Sequence, residues 1–149
     1  MKILKYSLLT FLVVWVATFT SCKDDSDPTV SETDQQLTAI MNNGSNWVLS
    51  SGGVMKDDFD VTDQFVGFKL TIGNKTYSTV NGLSPVWEAS GTWDFINNNP
   101  NQILRDGDTE ITVNLSTSAL TLTFSADAVR NGGRVEAVSG EYQFHFISE

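Results

Sequence analysis

A single cysteine is the residue whose type and position point most clearly to chemistry. Cys22 is the only cysteine among the 149 residues, so neither an intramolecular disulfide nor a thiolate metal cluster can form. It follows Thr20-Ser21 and an apolar run over residues 6–19, with Lys2 and Lys5 at the start. This pattern is typical of a secretory signal peptide, because a membrane span needs about 20 apolar residues. We therefore predict cleavage before Cys22 and acylation of its thiol; an ordinary secretory signal that happens to contain a cysteine is the alternative.

No other set of residues predicts catalysis. The one histidine, His145, alternates with Phe144 and Phe146 and so belongs to the polar face of its strand. No second titrating group at readable spacing completes a general base with it. The acidic stretch 57–63 could supply oxygen ligands to calcium, but the EF-hand pattern is absent and a solvated loop is the simpler interpretation. We predict a non-enzymatic protein without a metal site or a cofactor.

The candidates for ligand binding are Trp87, Trp47, Arg105 and Arg134. Trp87 follows a proline in a predicted loop, where an exposed indole could stack on a sugar ring. An indole that caps the mouth of a barrel is the equal alternative. Arg105 and Arg134, with Arg130, are the only arginines, and one of them could meet a ligand carboxylate. For each arginine the alternative is a salt bridge or packing over Trp47.

The segment behind the cysteine, residues 22–36, is acidic and nearly free of apolar side chains. Such a stretch cannot bury enough apolar surface to fold, so we predict a flexible tether. Without Lys2 and Lys5 the mature chain carries 7 basic and 18 acidic side chains, a net charge of −11. This charge argues against nucleic acid and anionic headgroups as partners, because both would repel it. Contact with a membrane is therefore expected through the N-terminal lipid.

The first residues of the tether carry a further pattern. Cys22-Lys23-Asp24-Asp25 resembles the lipoprotein export signal of Bacteroidetes, in which a lysine and two acids directly after the lipidated cysteine direct the protein outward. The resemblance implies an outer-membrane lipoprotein exposed on the cell surface, with Lys23, Asp24 and Asp25 as its export signal. A solvated linker is the alternative interpretation of the same charges.

A short helix is predicted ahead of a long series of strands. Ser31 can cap this helix, Asp34 lies at its third position, and Leu37, Ile40 and Met41 share its apolar face. Apolar and polar residues then alternate with the period of a half-buried antiparallel strand. The clearest segments are 66–72, 75–80, 110–115, 120–125 and 142–147, and the weaker ones are 47–51, 87–97 and 102–105.

The connections between these segments are mostly short, at residues 73–74, 105–108 and 116–118, with longer loops predicted at 53–64 and 81–87. Sequential hairpins form a meander, and strands of this number and length can close into an up-and-down barrel. We predict an all-β antiparallel meander that closes into a barrel with a short N-terminal helix; a two-sheet β-sandwich is the alternative. The expected organisation is a signal peptide over 1–21, a tether over 22–36 and one domain over 37–149.

Several short motifs resemble the lipocalin-like domains of Bacteroidetes lipoproteins. They are Asn46-Trp47-Val48-Leu49, Gly91-Thr92-Trp93-Asp94-Phe95, Ile103-Leu104-Arg105-Asp106-Gly107, Gly133-Arg134 and Gly140-Glu141-Tyr142-Gln143-Phe144. The resemblance spans most of residues 37–147 and implies a calycin-like barrel that could hold an apolar ligand.

The function expected from these features is binding. A surface lipoprotein with a barrel domain and loop aromatics would act as a non-enzymatic binding module for a small apolar or glycan ligand, within a nutrient-uptake system. The alternative is a structural or protein–protein accessory lipoprotein whose barrel is filled by its own aromatic side chains.

Overall fold

The computed structural model describes residues 30–127 and 138–149. The predicted signal peptide, the lipidation site Cys22, the export signal Lys23-Asp24-Asp25 and both Arg130 and Arg134 lie outside the described residues. The predictions made for these positions therefore stay predictions.

One helix and nine strands make up the described domain. Helix α1 covers Glu32–Ile40, and short 3₁₀ turns cover Asn42–Gly44 and Thr62–Phe65. The strands are β1 (Trp47–Lys56), β2 (Phe59–Asp60), β3 (Lys69–Gly73), β4 (Thr76–Val80), β5 (Ser90–Phe95), β6 (Gln102–Arg105), β7 (Thr109–Leu115), β8 (Ala119–Ala126) and β9 (Gly140–Ser148).

Helix α1 begins directly after its capping residue, Ser31. The side chain of Ser31 accepts a hydrogen bond from the backbone N–H of Asp34, which supplies one of the acceptors that the first turn of a helix lacks. The predicted cap is confirmed. Residues 32–36, which the sequence assigned to the tether, are helical. At the other end of α1, Ile40 is fully buried and its carbonyl accepts a hydrogen bond from the indole Nε1 of Trp47 at 2.8 Å.

The sheet is an antiparallel meander that closes on itself. Each strand from β3 to β8 pairs with the next along the chain, and β1 pairs with both β3 and β9. The closing pairs join Trp47 to Ser148 and Lys56 to Tyr142. The result is an eight-stranded lipocalin-like barrel, with β2 as an additional strand beside β1. The predicted barrel is confirmed, and the alternative sandwich is wrong because closure leaves a single continuous sheet.

The connections lie at two ends of this barrel. Helix α1, the turn at 74–75 and the loops at 96–101 and 116–118 occupy the helix end. The turns at 57–58 and 106–108 and the loop at 81–89 occupy the opposite end, which we call the mouth. We call residues 81–89 the mouth loop.

The barrel interior is filled by the apolar faces of the strands. Leu120, Leu122 and Phe124 of β8 are buried, as are Phe144 and Phe146 of β9. The rings of Phe124 and Phe144 stack with centroids 5.7 Å apart, and Phe65 meets Phe144 edge to face at 5.0 Å. These contacts confirm the alternation that predicted the strands, and they make the interior a packed core.

Three local predictions are wrong. The stretch 53–64 is not one loop, because β1 continues to Lys56 and turns into β2. Val66 is 74% exposed and lies outside β3, whereas Phe68 and the residues after it follow the predicted alternation. The β3–β4 turn falls at 74–75, one residue later than expected, because Gly73 still pairs with Thr76. Within the described part of the chain, no helix has the length and apolar character that a membrane crossing requires.

Candidate functional site

The prediction that Trp87 is an exposed loop residue is wrong. Its side chain is 3% exposed, and the adjacent Val86 is fully buried. The mouth loop turns inward so that the Trp87 ring lies among Phe68, Tyr77 and Phe144, with centroids 5.9, 5.6 and 5.8 Å away. A ring in this position cannot stack on a sugar in solvent. It closes the mouth from inside, which is the capping alternative.

Arg105 is the one charged residue buried among the described residues, at 5% exposure. It ends β6, and its guanidinium carbon lies 4.4 Å from the Trp87 ring centroid and 4.7 Å from that of Phe124. Of the two alternatives given for this arginine, packing over Trp47 is wrong, whereas a salt bridge is present, with Asp106 as the partner. The cation instead uses the electron-rich faces of two core rings, which favours its charge in a low-dielectric interior.

A carboxylate and a phenol stand beside the guanidinium. Asp106 Oδ2 lies 3.8 Å from Arg105 Nε and accepts a hydrogen bond from the Tyr77 hydroxyl at 2.6 Å. Asp106 Oδ1 accepts from the backbone N–H of Thr92 at 2.8 Å. Both carboxylate oxygens therefore already accept a hydrogen bond from a group other than the guanidinium. The ion pair between Asp106 and Arg105 is accordingly long, at 3.8 Å.

Gly91 permits this arrangement because it has no side chain. A Cβ at this position would lie 2.1 Å from Asp106 Oδ1 and 2.7 Å from the Tyr77 hydroxyl oxygen. Contacts under about 3 Å do not occur between such atoms without displacement of one partner. Position 91 of the motif Gly91-Thr92-Trp93 therefore requires a glycine in this fold, because a side chain there would collide with Asp106 and Tyr77.

Burial changes the pKa values of two groups in this cluster. Burial raises the pKa of the Tyr77 phenol, and the hydrogen bond that the hydroxyl donates to Asp106 raises it further. Burial also lowers the pKa of Arg105, while the nearby negative groups oppose that shift. A guanidinium stays protonated under all ordinary conditions, so Arg105 is a permanent cation inside the barrel.

The cavity inside the barrel is small. Tyr77, Trp87 and Arg105 line it together with Trp93 and five aliphatic side chains, and its volume is about 10 Å³. Pockets that enclose small organic ligands measure roughly 300–1,000 Å³. This cavity therefore has room for one water-sized group and not for an apolar ligand of that class.

Of the four predicted ligand-binding residues, the structure brings two into contact and does not bring the other two to them. Trp87 and Arg105 are in contact, as described above. Trp47 starts β1 at the helix end, where it is 2% exposed and bonded to the carbonyl of Ile40. Arg134 lies outside the described residues.

The remaining polar candidates lie on the outer surface. His145 points outward from β9 as predicted, with Nδ1 3.2 Å from the Thr121 hydroxyl and Nε2 3.0 Å from Gln143 Oε1. Asp57 and Asp58 form the β1–β2 turn with φ of 48° and 68°. Asp57 Oδ1 accepts a hydrogen bond from the backbone N–H of Glu141 at 2.9 Å, so this acid has a structural partner. Within the described ranges, no group of three or more metal-ligating side chains comes together.

An open groove on the outside of the barrel was not predicted. It has a volume of about 610 Å³ and runs over the outward faces of β7 and β8. Its lining is mostly carboxylates, hydroxyls and an amide, from Gln102, Asp108, Thr109, Glu110, Thr112, Thr123, Ser125, Asp127 and Glu141. The polar residues at every second position of these strands do indicate an outward-facing surface. Alternation alone does not show that neighbouring strands form a concave surface there.

Comparison of the chain with protein-family models, with curated proteins and with solved structures gave no match.

Proposed function

We propose that this chain is a non-enzymatic lipoprotein of the cell surface that binds its partner on the outside of a solid barrel. The observation that carries the proposal is the filled interior, whose cavity of about 10 Å³ is lined by Trp87, Arg105 and Tyr77. An apolar ligand would have to displace Trp87 and leave the Arg105 cation without its aromatic contacts. The enclosed-ligand version of the binding module is therefore the less favoured one.

The proposals of a lipid anchor and of a cell-surface location rest on the sequence. Cys22 is the only thiol, it follows a signal-peptide pattern, and Lys23-Asp24-Asp25 directly follows it. Acyl chains on that thiol would supply about 0.8 kcal/mol of membrane affinity for each buried methylene group. Substitution Cys22→Ser should move the protein from the membrane fraction to the soluble fraction.

Surface exposure has a separate test. Protease treatment of intact cells should remove the wild-type domain, whereas the variant in which Lys23, Asp24 and Asp25 are replaced by alanine should be protected until the cells are lysed. Equal protection of both proteins in intact cells would contradict surface exposure and leave lipidation unaffected.

The outer groove suits a hydroxyl-rich ligand such as a glycan. Glu110 and Glu141 offer carboxylate acceptors, while Thr112 and Thr123 offer hydroxyls that both donate and accept. A sugar presents the same mixture of donors and acceptors, so its groups can be paired along the groove. The groove's volume of about 610 Å³ also lies within the range of roughly 300–1,000 Å³ that is typical of ligand sites.

A protein partner is the second candidate, and exposed apolar side chains favour it. Phe59 is 76% exposed on β2, Val66 is 74% exposed and Val80 is 57% exposed at the end of β4. Aromatic side chains such as that of Phe59 are enriched where proteins contact each other.

The filled interior is tested with a fluorescent fatty-acid probe. The full chain carrying Cys22→Ser, to which no lipid is attached, should show no saturable binding at micromolar concentration. The Trp87→Ala variant, in which the indole no longer fills the mouth, is measured beside it for comparison. Saturable one-to-one binding by the wild-type interior would overturn the proposal of a solid barrel.

The two partner classes are separated by variants on the outer surface. On a glycan array, Thr112→Arg should abolish binding because the new side chain fills the groove. Ser78→Arg, at an exposed position of β4, should leave glycan binding unchanged. If no glycan is bound by the wild type, cross-linking in intact cells should give one product that is lost in Phe59→Ala and retained in Thr112→Arg. The absence of both results would contradict external binding.

A further inference from the structure

The outer groove contains a row of uncharged polar side chains that crosses three strands. Gln102 of β6 lies opposite Thr112 of β7, and Thr112 lies opposite Thr123 of β8. Side chains that are paired in this way project from the same face of a sheet and lie about 5 Å apart. All three line the groove. We call them the neutral row, because an amide and two hydroxyls donate and accept hydrogen bonds without a charge.

A set of carboxylates lies closer to the mouth in the same groove. Glu110 stands two positions before Thr112 on the same face of β7, and Glu141 of β9 lies opposite Ser125 of β8. Two further carboxylates follow at the strand ends, one in the turn before β7 and one directly after β8. All four are exposed and line the groove. We call them the acidic set: Asp108, Glu110, Asp127 and Glu141.

The described residues supply no counter-charge to the acidic set. No lysine, arginine or histidine lines the groove. The ion pairs between described residues are Lys69–Glu149, Lys75–Asp94 and Arg105–Asp106, and none of them includes a member of the acidic set. A ligand that enters the groove therefore meets four negative charges that no described residue offsets.

These charges favour one class of glycan over the others. Salt screens charges over about 8 Å at physiological ionic strength, so the carboxylates in the groove outweigh more distant groups. A uronate, sialate or sulfate group in the groove would lie beside like charges, which disfavours its binding. An ammonium group would instead lie beside carboxylates and donate charge-assisted hydrogen bonds to them.

From this arrangement we infer that the groove selects amino sugars, which carry free amines beside their hydroxyl groups. The hydroxyls pair with the neutral row, and the ammonium groups pair with Glu110 and Glu141. The inference rests on the glycan-binding role proposed above and adds the chemical class of the glycan. It also requires that acidic glycans are rejected.

Three oligosaccharide probes of equal length test this selectivity: a glucosamine oligomer, its N-acetylated form and a galacturonate oligomer. Each is titrated calorimetrically into the full chain carrying Cys22→Ser at about pH 6, where carboxylates are ionised and sugar amines are protonated. The glucosamine oligomer should bind roughly tenfold more tightly than its acetylated form, the effect of two exposed ion pairs. Added salt should reduce this preference, and the galacturonate oligomer should not bind.

Two double variants locate the effect in the groove. Glu110→Gln with Glu141→Gln removes two charges from exposed positions of the groove, so the glucosamine oligomer and its acetylated form should then bind about equally. Asp58→Asn with Asp63→Asn is the matched control, because it removes two charges from exposed positions outside the groove. This control should retain the preference for the free amine.

The inference and the proposed function fail in different ways. Equal binding of the free-amine and acetylated probes, with both lost in Thr112→Arg, would overturn the selectivity and retain the glycan groove. Binding of the galacturonate oligomer in the groove would do the same, as would failure of the glucosamine oligomer to bind while the glycan array detects another sugar. A preference for the free amine that persists in the Glu110→Gln and Glu141→Gln double variant would show attraction to the acidic surface as a whole and overturn the inference. An array without any bound sugar would contradict the glycan-binding role itself.

Discussion

The guanidinium carbon of Arg105 lies 4.4 Å from the centroid of the Trp87 ring, and this contact joins the mouth loop to strand β6. Trp87 belongs to the mouth loop and Arg105 to the end of β6. The loop is further fixed by the backbone N–H of Trp87, which donates to the carbonyl of Leu83 at 2.9 Å. The closed mouth is therefore part of the core.

Removal of the Trp87 ring should both destabilise the protein and open it. We expect Trp87→Ala to lower the free energy of unfolding by about 3–5 kcal/mol, as large buried aromatic side chains do when truncated. Phe59→Ala, at a side chain that is 76% exposed, should change it by less than about 0.5 kcal/mol. Urea unfolding measures both. Similar losses in the two variants would contradict the position of Trp87 in the core.

Gly91 should not tolerate a side chain. Because a Cβ there would meet Asp106 and Tyr77 at 2.1 and 2.6 Å, we expect Gly91→Ala to cost about 1–3 kcal/mol through displacement of both side chains. Gly107→Ala is the comparison, since Gly107 has open space around it and a φ of +81°. That substitution should cost about 1 kcal/mol for backbone conformation alone. A smaller loss for Gly91→Ala than for Gly107→Ala would refute the crowding.

Stability should fall at alkaline pH. Burial raises the pKa of Tyr77 and of Tyr142 in the folded protein. A raised pKa in the folded state gives stability that is fully present below the unfolded value and lost as the pH increases. The loss should therefore begin near pH 10, where an unfolded tyrosine releases its proton.

The measurement is the tyrosinate absorbance together with circular dichroism. Both tyrosines should ionise in the same transition in which the fold is lost. Tyr77→Phe should weaken the pH dependence above about pH 10, because Phe cannot ionise in either state. Gradual ionisation of both residues at the usual pH with the fold intact would show that they are accessible.

The β1–β2 turn should respond differently at its two aspartates. Both have positive φ, which disfavours any residue with a Cβ, but Asp57 also accepts a hydrogen bond from the backbone N–H of Glu141. We expect Asp58→Gly to stabilise the protein by a few tenths to about 1 kcal/mol. Asp57→Gly should give no gain, since the lost hydrogen bond, worth about 1 kcal/mol, offsets the relief of strain. Differential scanning calorimetry of the two variants separates these effects, and equal changes would contradict them.

The sequence predicted those parts of the fold in which one face of a strand is buried. Alternation placed β7, β8 and β9, because each apolar residue there has a partner across the same core. The second half of β1 was missed, since Ser50-Ser51-Gly52-Gly53 has no apolar alternation. Gly52 takes a φ of +63° there, and the register against β9 shifts between Leu49 and Val54, as in a β-bulge.

The candidate site was less predictable than the strands. Trp87 stands two residues after a proline and directly before Glu88, which is the local signature of an exposed loop, and no local pattern shows that the loop turns inward. The position of Trp87 is decided by contacts with residues distant in sequence, above all Phe144 and Phe124. Arg105 could be selected as an unusual residue, but its aromatic partner could not be identified before the barrel was assembled.

The pairing of β1 with β9 also constrains the order of events when the protein forms. Trp47 is hydrogen-bonded in register with Ser148, so the earliest strand of the domain has no partner along this edge until β9 has been synthesised. Contacts of such long sequence separation slow folding, and an unsatisfied strand edge invites pairing with other chains. A partly made chain is therefore an open sheet with unpaired edges on β1 and on its last strand, and only the pairing of β9 with β1 closes that sheet into a barrel.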